Sequence, residues 1–74
     1  MFCAGVESFK YDSDGKRHVV ADLRASNAPA PMPTTGEDID QLSENDILAP
    51  GTTLYCINSG TLYMMNEENE FKEQ

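Results

Sequence analysis

Cations are scarce in this chain: five Lys and Arg stand against thirteen Asp and Glu in 74 residues, for a formal net charge of −8. Binding nucleic acid through its phosphates needs a basic surface, so that class of function is set aside. The one histidine, His18, lies between Arg17 and Val19 with no Ser or Cys at dyad spacing, which suits a surface strand position rather than catalysis. Two cysteines, Cys3 and Cys56, stand 53 positions apart and with one His make no metal site by themselves. The glycines at 5, 15, 36, 51 and 60 are isolated, so no phosphate cradle is spelled out. No apolar run approaches a membrane span, and the first residues carry neither the basic region nor the apolar run of a secretory signal. The expectation is a soluble, intracellular chain whose two thiols stay reduced and behave as small apolar side chains.

At this length the chain makes one domain at most, with a marginal core, and stability then tends to come from disulfides, metal or association. Paired carboxylates are plentiful, but an acid/base pair needs a cleft that separates two pKa values, and so small a domain has little depth for one. Nine of the thirteen acids fall in two runs: Glu37, Asp38, Asp40, Glu44 and Asp46, then Glu67, Glu68, Glu70 and Glu73. They read as a solvated rim around loops, or as a surface for a basic partner.

Residues 1–24 read as an N-terminal hairpin. Ser8–Tyr11 and Arg17–Leu23 are strand-like runs flanking Asp12-Ser13-Asp14-Gly15-Lys16, where Asp-Gly is a strong turn signal. Phe9 and Tyr11 share one parity, as do Val19, Ala21 and Leu23, which offers an apolar face for the rest of the chain. Met1 to Glu7, with Phe2 and Val6, fits either an initial strand or a docking tail. Asp12-x-Asp14-Gly15 resembles the start of a calcium loop, yet the twelfth position is Leu23 where a bidentate Glu is needed, so the plain turn is preferred.

Residues 25–35, ASNAPAPMPTT, hold three of the four prolines and almost no charge, and predict an extended connector, either a linker or an arm lying along a neighbouring subunit. Residues 36–50 predict one or two short helical turns: Thr34 and Glu37 stand at capping-box spacing and Ile39 and Leu42 share a side, until Ala49-Pro50-Gly51 stops them.

Residues 51–74 predict a three-stranded meander. Thr52–Ile57 and Thr61–Met65 are dense in strand formers, Asn58-Ser59-Gly60 supplies a turn, and Phe71 reopens the pattern after a polar loop. Alternation predicts Leu54, Cys56, Leu62, Met64 and Phe71 inward, with Tyr55, Ile57, Tyr63 and Met65 on the opposite face. Both faces are apolar, so something must cover each. The fold expected is mainly β, a small sheet built from the hairpin and the meander.

Pro33-Thr34-Thr35-Gly36, Ala49-Pro50-Gly51-Thr52-Thr53-Leu54-Tyr55 and Ser59-Gly60-Thr61-Leu62-Tyr63-Met64 together resemble the C-terminal part of small virion-associated proteins of tailed bacteriophages and prophages of Gram-positive bacteria. The likeness runs from Pro31 to Gln74, and Phe71 stands where a tryptophan is usual. It implies a non-enzymatic virion part without cofactor or metal, a head decoration or head-fibre base made in the host cytoplasm and present in many symmetric copies. Its partners would be capsid or other virion proteins and further copies of itself, with no nucleic acid and no membrane. On that reading the partner-binding residues are Tyr55, Ile57, Tyr63 and Met65 on the meander and Pro29, Pro31, Met32 and Pro33 on the connector. The rival reading is a small acidic phage-type inhibitor that mimics nucleic acid toward a basic host protein.

Overall fold

The computed structural model describes residues 3–74, with side chains from residue 5. Expectations for Phe2 and for the Cys3 thiol lie outside the described residues. The fold is mainly β, a mixed sheet of six strands: β1 (Cys3–Tyr11), β2 (Arg17–Ala25), β3 (Ile47–Leu48), β4 (Thr53–Cys56), β5 (Thr61–Met65) and β6 (Phe71–Glu73). The order across the sheet is β1-β2-β4-β5-β6, with β3 also on β2.

Both expected hairpins form where turn chemistry asks for them. Gly15 at φ 78° and Gly60 at φ 68° occupy the left-handed region that a side chain resists. Asp12 fastens the first turn, its Oδ1 accepting the N–H groups of Asp14 (2.9 Å) and Lys16 (3.0 Å). β1 begins at Cys3, so the strand reading of the first described residues holds. Its register on β2 slips between Val6 and Ser8, leaving Glu7 as the extra residue of a bulge.

The two halves are joined by a parallel seam. β4 runs beside β2 with Leu23 opposite Leu54 and Ala25 opposite Cys56, and β3 pairs with the start of β2, Val19 opposite Leu48. After Ala49, whose N–H still donates to the Val19 carbonyl at 2.8 Å, the chain loops away from β2 until Thr53, which would leave the Ala21 N–H open. Thr52 closes the gap. Its fully buried hydroxyl donates to the Val19 carbonyl (3.2 Å) and accepts the Ala21 N–H (3.3 Å).

The core lies on one face of the sheet and holds Val19, Ala21, Leu23, Leu48, Leu54, Cys56 and Met65. Its cover is the segment between β2 and β3. Ile39 is buried there, and Met32 and Leu42 pack against the same cluster. The connector is therefore an overlay on its own sheet, tied down by a Thr35–Ile47 bridge and by Leu48 N–H donating to the Thr34 carbonyl at 3.1 Å.

Two expectations are corrected. Residues 36–50 form no helix among the described residues; they make successive tight turns, Ile39 N–H to Gly36 (3.1 Å), Leu42 to Ile39 (3.2 Å) and Asp46 to Ser43 (3.0 Å). Asp38 and Gln41 take φ of 63° and 70°, which a right-handed helix excludes. Gly36 is required there, since a Cβ would lie 2.3 Å from the Ser43 carbonyl oxygen.

The second correction concerns the faces of the meander. Ile57–Gly60 form the turn, so Cys56 pairs with Thr61 and Leu54 with Tyr63, even positions against odd. Directly paired residues share a face. Tyr63 and Met65 therefore point to the core side with Leu54 and Cys56, while Leu62 and Met64 point away with Tyr55. Phe71 stays on the core side, paired with Met65.

Candidate functional site

The outer face of the sheet follows from these registers. Tyr55 lies opposite Leu62 and beside Arg24, and Met64 lies between Thr53 and Lys72. Tyr55, Leu62, Met64 and, at the start of the turn, Ile57 are 37 to 56% exposed, large apolar side chains gathered on adjacent strands. Around them stand Asp22, Arg24 and Lys72, and the Thr53 hydroxyl donates to Asp22 at 2.8 Å. A small apolar patch rimmed by charge is what a docking surface offers.

Of the residues expected to meet a partner, Tyr55 and Ile57 are on this open face. Met65, at 2% exposure, is in the core, and Tyr63, half-buried, packs against the core on that same side rather than standing on the open face. In the overlay Pro31 is exposed, Pro29 and Pro33 are half-buried, and Met32 is packed on the core. Leu62 and Met64 were missed. Counting the turn as four residues instead of three would have found them.

A second exposed apolar strip lies on the core side of β1. Phe9 pairs with Val19 and Tyr11 with Arg17; Ser43, Asn45 and Asp46 of the overlay line a depression with Tyr11 but leave the two rings 54% and 63% exposed. Their rings meet edge to face with centroids 5.8 Å apart, and the Arg17 guanidinium lies 5.2 Å from the Phe9 centroid.

Two charged contacts hold the hairpin in place. Arg17 grips Asp46 with both ends of its fork, Nε to Oδ1 at 3.1 Å and Nη2 to Oδ2 at 2.5 Å, and Ser43 N–H donates to Oδ2 at 2.9 Å. The Arg17 hydrogen bond holds the Asp46 carboxyl below its ordinary range, helped by the Ser43 N–H and opposed by burial. His18 Nε2 meets Asp12 Oδ2 at 2.9 Å, and that bond, with the turn N–H groups, lowers the Asp12 carboxyl too. Asp12 and Asp14 thus serve a turn, and among the described residues no three His, Cys, Asp or Glu side chains converge as metal ligands would.

A depression of about 780 Å³, open to solvent, lies between Ala25–Pro29 and Asp38–Asp40. It carries two carboxylates, and His18, Cys56 and the lysines lie elsewhere. No helix among the described residues is long and apolar enough to cross a membrane. Set against family models, curated proteins and solved structures, the chain matches none of them.

Proposed function

We propose that this chain is a non-enzymatic structural part of a bacteriophage virion, a head decoration or head-fibre base, that joins its assembly through the outer face of the sheet. The observation that carries the reading is the side-by-side exposure of Tyr55, Leu62 and Met64 on a sheet whose other face already holds the core. Burying such side chains releases roughly 25 cal/mol per Å² of apolar area, so a face left open in the single chain is the favourable place for a neighbour. The likeness of Pro31–Gln74 to virion-associated proteins supplies the kind of neighbour. The overlay covers the opposite face, with Pro31 at its surface.

The acidic-inhibitor reading draws support from Glu37, Asp38, Asp40 and Glu44, all exposed, but Glu67, Glu68, Glu70 and Glu73 sit on the separate β5–β6 segment and Glu7, Asp14 and Asp22 on the first hairpin. A mimic of a phosphate backbone needs one continuous acidic track.

The test is co-assembly with the capsid proteins of the phage that carries the gene, measured by sedimentation of particles across a salt series. Leu62→Asp should abolish incorporation while circular dichroism stays unchanged, and Glu67→Gln should do little. Normal incorporation of the Leu62 variant would sink the outer-face reading, and capture by a basic host protein that collapses with salt would favour the inhibitor.

A further inference from the structure

β1 is an edge of unusual length for so small a sheet: nine residues, all exposed from Gly5 to Tyr11, with a neighbour on one side only among the described residues. Backbone groups on such an edge are a template for another strand. The phase of the ladder says which groups are free. Asp12 N–H donates to the Lys16 carbonyl at 2.9 Å, and antiparallel pairs alternate, so Lys10–His18 and Ser8–Val20 exchange hydrogen bonds whereas Phe9–Val19 and Tyr11–Arg17 do not. The other edge of β2 agrees, since the Val19 carbonyl accepts from Ala49 (2.8 Å), away from β1. The N–H and C=O of Phe9 and Tyr11 therefore point outward.

We infer that β1 pairs antiparallel with β1 of a second copy of this chain, about a two-fold axis at Phe9, to give a continuous sheet through two molecules. Charge and face select this register. With Phe9 opposite Phe9 of the second copy, the outward groups of both exchange hydrogen bonds, Ser8 lies opposite Lys10, and Lys10 of each copy stands one residue from Glu7 of the other. A slip of two residues toward the turn sets Lys10 against Lys10 in a closely spaced pair, which like charges disfavour. The opposite slip carries Lys10 across the bulge onto Val6, from one face to the other. A one-residue slip sets the outward groups of Phe9 opposite Ser8 or Lys10, whose own N–H and C=O are already used by β2, so no ladder forms. In the inferred register the exposed Phe9 and Tyr11 rings of both copies form one strip on the same face.

This surface is separate from the outer face proposed above and does not depend on it. The experiment is sedimentation equilibrium of the full chain from low micromolar to about 200 µM. A dimer is expected. Lys10→Glu and Glu7→Lys should each weaken it roughly tenfold, since each reversal acts twice by symmetry, and the double variant should restore it. Phe9→Pro removes an N–H that β2 does not use, and should give a folded monomer. A monomer throughout the range, or a dimer indifferent to both charge reversals and to Phe9→Pro, would overturn the inference. Leu62→Asp should leave this dimer intact, so a failure of the outer-face reading is read separately.

Discussion

β1 and β4 flank the same strand, and they have opposite fates. β4 is four residues long with Leu54 and Cys56 fully buried, while β1 is nine residues long with every described side chain from Gly5 onward exposed. Composition does not separate them, for Phe9 and Tyr11 are as apolar as Leu54 and Tyr55. The cover does. Ile39, Met32 and Leu42 pack on the cluster that holds Leu54 and Cys56, whereas the Arg17 guanidinium and the Tyr11 ring that meet Phe9 leave it 54% exposed. A strand's pattern says which face it would bury; only the chain that folds over that face decides whether it is buried.

The sharpest way to test the contrast is to truncate one side chain on each strand. Leu54→Ala should cost about 2–5 kcal/mol in urea unfolding, because the cavity is closed on all sides, and Phe9→Ala under about 1 kcal/mol. Comparable costs would mean that β1 is covered in solution.

Next is the tie that fixes the cover. Asp46→Ala leaves the part-exposed Arg17 fork and the Ser43 N–H without their acceptor and should cost about 2 kcal/mol. The pair also sets an acid limit. The folded Asp46 carboxyl is depressed, so its contribution is present above the unfolded value of about 3.9 and is lost as pH falls below that. Unfolding midpoints across pH 2–6 should show this loss in the parent and a flatter acid limb in the variant. At the seam, Thr52→Val strands the Ala21 N–H and should cost about 1–2 kcal/mol by urea unfolding, still above the cost of Phe9→Ala.

The mainly β class, both hairpins and the positions of the meander strands were legible because each rests on local chemistry: Asp14-Gly15, Asn58-Ser59-Gly60 and β-branched or aromatic runs between them. What was not legible is non-local or turns on a single residue of register. The β2–β4 seam is parallel and pairs Asp22 with Thr53, which no adjacent sequence announces. Ile57 looked like strand and is turn, and that one position reversed the faces of β5, sending Met65 to the core and Leu62 outward. Capping-box spacing at Thr34 and Glu37 suggested helix, but Gly36 and Asp46 pair across the overlay at 2.9 Å and pull those residues into turns. The open β1 strip and the outer patch both depend on these long-range pairings.

The parallel seam also shapes how the chain reaches its fold. Each hairpin closes across a few residues and can form within microseconds, but Asp22 meets Thr53 only after 31 positions of chain have been brought round. Closing that loop costs entropy that neither hairpin repays alone. The search for native structure therefore narrows at the seam, and until Thr52 plugs into β2 the two hairpins are independent pieces with their apolar faces open to water.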